Sequence, residues 1–109
     1  MESWDLTAVA TPGGSRSPVV LHSENEARAV VIGLEPGQEL GEHEVKENAF
    51  LIVVDGVVQI AAGGQAIDAG SGTLVRFDPE ERHTVSAPDG ARLLLLFAPW
   101  PGEGHYRDD

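Results

Sequence analysis

The sequence predicts an antiparallel all-β sandwich or barrel, and three observations support it. The apolar segments are short and rich in β-branched residues. Thirteen glycines and seven prolines break them into pieces. No stretch sustains a helical period over three turns. Short strands at this spacing bury their apolar faces by closing into two packed layers or a barrel.

Taken in order, Ser17 to Ser23 and Ala27 to Leu34 read as a pair of strands joined by the polar hairpin Glu24-Asn25-Glu26. After the break at Glu35-Pro36-Gly37, Gln38 to Val45 alternates weakly, and Ala49 to Val54 is a continuous apolar run. Asp55-Gly56 is a strong turn pair, so a hairpin is predicted there, with Val57 to Ala61 as its second arm. Gly63-Gly64 turns the chain into Gln65 to Asp68, and Gly70-Ser71-Gly72 turns it into Thr73 to Phe77. The loop Asp78-Pro79-Glu80-Glu81 precedes Arg82 to Ser86, and Pro88-Asp89-Gly90 leads into Ala91 to Phe97. Residues 1–18 read as an N-terminal arm, 19–98 as the barrel domain and 99–109 as a C-terminal tail, whose Pro101, Gly102 and Gly104 make a poor central strand. That tail is expected to lie over the barrel or to fray. Trp4 and Trp100 are expected to cap open edges of their own barrel.

Composition narrows the function. With 109 residues the chain suits one domain. A net charge of −11, from eighteen acidic and seven basic side chains, repels phosphate backbones and anionic lipid, so neither nucleic acid nor a membrane is an expected partner. No cysteine is present, which leaves histidine and carboxylate as the strong metal ligands. Met1-Glu2-Ser3-Trp4-Asp5 carries acids where a secretory signal carries bases, and no apolar core follows; a cytoplasmic location is expected. Glu39, Glu42, Glu44 and Glu47 read as the solvated side of a strand and its turn. Arg76 and Arg82 read as partners of Asp78, Glu80 or Glu81.

One gapped pattern carries chemistry. Gly37 is followed after five residues by His43, then by Val45, Ala49 and Gly56, and further on Gly72 is followed by His83. This frame resembles the two motifs of the cupin superfamily: Gly, His-x-His, Glu and Gly in the first, then Gly, Pro, Gly, His and Asn in the second. Val45 and Ala49 stand where the second histidine and the glutamate of the first motif would be. Asp78, Glu80 and Ala87 replace the Pro, Gly and Asn of the second. The matched region, with its flanking strands, runs roughly from residue 28 to 98.

The resemblance implies a small single-domain, RmlC-like cupin, an antiparallel double-stranded β-helix or jelly-roll barrel. Cupins that bind a divalent metal (Fe, Mn, Ni, Zn or Cu) do so inside the barrel with three imidazoles and a carboxylate. Because alternate residues of a strand share a face, His43, Val45, His83 and Val85 are expected to point inward. Two imidazoles with apolar neighbours then suggest a pocket of His43, Val45, Ala49, His83 and Val85 that takes a small-molecule ligand without a metal cofactor. The alternative is a metal-dependent enzyme of the dioxygenase or isomerase type with a reduced set of His43, His83 and Glu47. For metal-free isomerisation the single tyrosine, Tyr106, would have to fold back from the tail. The resemblance also implies a homodimer, paired through barrel edges or exchanged N-terminal strands.

Overall fold

The computed structural model describes residues 1–11, 17–24 and 26–102, apart from the side chains of Glu42 and His43. Among these residues there are eight strands and no helix. They are β1 (Val19–Glu24), β2 (Ala27–Leu34), β3 (Gln38–His43), β4 (Asn48–Ala62), β5 (Gln65–Gly70), β6 (Leu74–Phe77), β7 (His83–Ala87) and β8 (Ala91–Ala98). None of it is a helix long and apolar enough to cross a membrane.

All pairings are antiparallel. One sheet runs β1-β2-β8-β4-β6 and the other β3-β7-β4-β5, so β4 belongs to both. Asn48 to Gly56 pair with β8, and Val57 to Ala62 pair with β5. The Asp55-Gly56 pair is therefore a corner within one strand and not the predicted hairpin. Register slips between Val53 and Asp55, leaving one extra residue on β4, and this bulge bends the strand from the first sheet into the second. Gly56 has φ of +92°, and a Cβ there would lie 2.6 Å from the Gly90 carbonyl oxygen and 2.9 Å from the Ala91 Cα. Only glycine satisfies both demands. Gly63-Gly64 does form its hairpin, between Ala62 and its cross-strand partner Gln65, with φ of +57° and +79° at its two residues.

Period-two alternation delivers the core. On β4, Ala49, Leu51 and Val53 are buried while Phe50, Ile52 and Val54 are only partly so, and on β8 Leu93 and Leu95 point inward between outward Leu94 and Leu96. Val30, Ile32 and Leu34 from β2 and Val58, Ile60 and Val85 from the second sheet complete the interior. The two ends of the chain lie against this body. Arg92 donates to the carbonyls of Leu6, at 3.3 Å, and Val9. After β8 the Trp100 ring packs on Phe97 at 5.8 Å, under the Arg28 guanidinium at 4.9 Å, and its backbone N–H donates to the Glu26 carbonyl. Trp4 is 43% exposed.

Candidate functional site

One end of the barrel gathers the chemistry. Its last inward layer on the first sheet is the cross-strand row Phe97, Ala49 and Phe77. On the second sheet the corresponding cross-strand register row is His43, His83, Ala62 and Gln65, of which His83 is buried. A register shift in β3 between Leu40 and His43 inserts one residue and sets the His43 backbone directly opposite His83. The His43 side chain lies outside the described part of the structure.

His83 is 5% exposed. Its ring lies flat on Phe77, with centroids 3.8 Å apart and planes 4° from parallel, so the imidazole bridges the two sheets. Nδ1 is 3.0 Å from the Glu81 carbonyl oxygen, an acceptor, which places the proton of the neutral ring on Nδ1 and the lone pair on Nε2. Stacking and this hydrogen bond together fix the ring's orientation.

Glu47 departs from the expectation of a solvated side chain: it is 1% exposed, whereas Glu39 and Glu44 are exposed as expected. The reason is periodicity, since Glu47 lies two residues before Ala49 and continues the inward row Ala49, Leu51 and Val53. Its Oε2 accepts a 2.7 Å hydrogen bond from the Gly102 N–H. The tail thus folds over this end of the barrel at least as far as Gly102; His105 and Tyr106 lie outside the described residues. A Cβ on Gly102 would meet the Lys46 carbonyl oxygen at 3.0 Å and the Glu47 side chain at 3.1 Å. We expect Gly102→Ala to loosen this bond and lower stability by about 1–2 kcal/mol, read by urea denaturation; an unchanged midpoint would show that the bond contributes nothing net.

Two further ties close the rim. The Glu80 N–H donates to the Val45 carbonyl at 2.7 Å, and Lys46 Nζ bonds Glu80 Oε1 at 2.8 Å. The Lys46 ammonium, through that hydrogen bond and its charge, holds the Glu80 carboxyl below its usual range. Arg76 pairs with Asp78 at 2.7 Å, as the sequence suggested.

Between β4, β5 and β6 a cavity of about 120 Å³ opens. Ile60, Ala62, Ile67, Val75 and Phe77 supply its apolar wall, and Gln65, Arg76 and Glu81 its polar edge. His83 does not line this cavity but is held by two residues that do, Phe77 as its stacking partner and Ala62 as its cross-strand partner; His83 itself lines a neighbouring cavity of about 290 Å³ with Ala62, Arg82 and Thr84. Of the residues singled out in the sequence, Ala49 and Val85 are packed into the core and Val45 is partly buried against it. Phe77 and Gly102 were not singled out. Phe77 had a usable signal, standing six residues before His83 on the inward phase of its strand; Gly102 had none.

A family model described as the cupin domain matches residues 30–99, more than half of the chain. The chain belongs to the cupin family. This cupin is similar in structure to an uncharacterized conserved protein with a double-stranded β-helix domain from Klebsiella pneumoniae (TM-score 0.81, 19% identity, covering 94% of this chain and 93% of that one). It is also similar to a cupin superfamily protein from Desulfitobacterium hafniense (TM-score 0.78, 12% identity, 85% of each chain). An RmlC-like cupin from Shewanella frigidimarina matches with TM-score 0.73 and 24% identity, over 77% of this chain and 76% of that one. Comparison with curated proteins finds no match.

The conventional cupin metal set does not fit these residues. Two of its four positions are Val45 and Ala49, which offer no lone pair and belong to the apolar packing. Among the described residues no group of three or more His, Asp or Glu is placed to hold a metal ion.

Proposed function

We propose that this cupin binds a small organic molecule at the end of the barrel that carries His83, without a conventional metal site. One observation carries the reading: among the described residues the only buried polar or charged side chains are Glu47 and His83, and both lie at this end. Burying a carboxylate and an imidazole is unfavourable in a core that apolar residues would fill as well, so their placement together fits a binding role. The adjoining cavity, about 120 Å³, equals the liquid volume of about four waters and suits a compact ligand. Its apolar wall would take the carbon skeleton, and His83 Nε2, as an acceptor, would take a hydroxyl or amine proton.

A second reading, a metal-dependent enzyme using His43, His83 and Glu47, is favoured by the cross-strand pairing of the two histidines and the inward position of Glu47. The two readings separate in one experiment, the metal content of untagged protein and of His43→Ala by elemental mass spectrometry. We expect substoichiometric metal in both, followed by stabilisation of the wild type, and not of His83→Gln, by hydroxyl- or amine-bearing ligands in a thermal-shift screen. Near-stoichiometric metal that disappears in His43→Ala would replace the first reading with the second.

A further inference from the structure

At the rim of the His83 end, one residue holds a backbone conformation that its side chain disfavours. Glu80, which stands where the second cupin motif has glycine, takes φ of +65°. Glycine adopts that left-handed conformation freely, and a residue with a Cβ does so only at a cost. The turn itself closes without the Glu80 side chain: the Glu81 N–H donates to the Asp78 carbonyl at 3.1 Å, and the Glu81 carboxylate accepts from the Asp78 N–H at 2.9 Å. Glu80 instead reaches a different loop. Its Oε1 bonds Lys46 Nζ in the β3–β4 connection at 2.8 Å, and its N–H donates to the Val45 carbonyl at 2.7 Å. A disfavoured φ kept for a contact between loops points to a use for that contact.

The contact holds the bridge between two stacked rings. Phe77 ends β6 and His83 begins β7, so residues 78–82 join them, and the Glu81 carbonyl within that bridge receives the His83 Nδ1 proton. On the other side, Lys46 precedes Glu47, whose carboxylate ties down the tail at Gly102. The tail rests on this same connection, since a Cβ on Gly102 would lie 3.0 Å from the Lys46 carbonyl oxygen. The β3–β4 connection, the β6–β7 bridge and the tail thus meet at this end, and His83 is left 5% exposed. Their ties differ in kind. The bond from Gly102 to Glu47 is buried, whereas the Lys46 and Glu80 side chains are 44% and 60% exposed, within reach of dissolved ions.

We propose that the Lys46–Glu80 pair is a salt-sensitive clasp that governs access to the His83 imidazole. The proposal rests on the reading of this end as the binding site and assigns that site a means of regulation. With the clasp closed, the two connections cover the imidazole; with it released, they part and Nε2 meets solvent and ligand. An exposed ion pair shifts such a balance only severalfold, which suits a contact that opens and closes in ordinary use.

Diethyl pyrocarbonate, which acylates neutral imidazole nitrogen, tests the clasp without any ligand. Mass spectrometry of the peptides carrying His83 and His22 gives a rate at each site, with His22, on β1, as the internal reference. At low salt we expect His83 to react about threefold faster in Lys46→Met and in Glu80→Gln than in wild type, and His22 to react at one rate in all three. NaCl at about 1 M brings wild type to the rate of the variants and leaves theirs unchanged. Exchanging the charges, in Lys46→Glu with Glu80→Lys, restores the wild-type rate. Glu80→Gly reacts as fast as Glu80→Gln yet melts at a higher temperature, because it sheds the disfavoured φ. His83 rates equal to wild type in both single variants overturn the proposal. So does an equal rise at His22, the mark of a barrel loosened throughout. Faster His83 reaction in the variants, with no ligand found by thermal shift, would uphold the clasp and remove the binding reading alone.

Discussion

Replacing Gly56 with alanine lowers the stability of the barrel by about 3 kcal/mol or more, a drop of about 12 °C or more in Tm. Two terms add. A φ of +92° costs an L residue about 1–2 kcal/mol. The new methyl also falls 2.6 Å from the Gly90 carbonyl oxygen and 2.9 Å from the Ala91 Cα, backbone atoms at the very end of the β4–β8 ladder where Gly56 pairs with Ala91, so neither can step aside cheaply. Gly72→Ala separates the terms, since Gly72 has φ of +90° and no atom within 4 Å of a built Cβ. We expect it to cost only the conformational part, about 1–2 kcal/mol. Equal shifts in urea midpoint for the two variants would show that the close approach at the corner contributes nothing.

Val45→His combined with Ala49→Glu converts the barrel into a metal protein. The two substitutions restore donors at the positions where the cupin frame lacks them, one in the core on β4 and one in the β3–β4 connection, partly buried against that core. Without metal the variant is less stable than wild type by about 2–4 kcal/mol, because a glutamate replaces an alanine that is 2% exposed and packed in the row with Phe77. With Zn or Ni it recovers, since binding at a thousand times Kd contributes about 4 kcal/mol to the folded state. Metal affinity rises about a hundredfold over wild type. Isothermal titration with Zn reads the affinity and a thermal melt reads the recovery; a folded variant with wild-type affinity would show that the four positions do not converge. Should the double variant fail to fold, Val45→His alone, at a partly buried site, still supplies a third imidazole.

Local chemistry was legible in the sequence wherever a local interaction decides the outcome. Gly63-Gly64 turns the chain because only its two flanking strands compete for it, and period two placed Val85 inside. Asp55-Gly56 has the same local signature and a different result. There, pairing with β8, some forty residues later, carries β4 on through the glycine as one bent strand. The burial of Glu47 was readable from its phase relative to Ala49, but its acidic neighbours Glu42 and Glu44 drew it into a solvated cluster. The Gly102 hydrogen bond to Glu47 and the stacking of Phe77 on His83 both depend on which strands are neighbours. No local pattern encodes that.

The double membership of β4 also constrains how the chain can fold. Neither sheet is complete without it: its first half must find β8, with Asn48 opposite Ala98, while its second half pairs locally with β5 across two glycines. The β4–β5 hairpin can form within microseconds of chain motion, whereas closing the β4–β8 ladder requires a loop of more than thirty residues to be gathered first. Folding should therefore be limited by that closure and take milliseconds to seconds. Because one strand links both halves, a barrel with one sheet formed and the other open is not a resting point on the way.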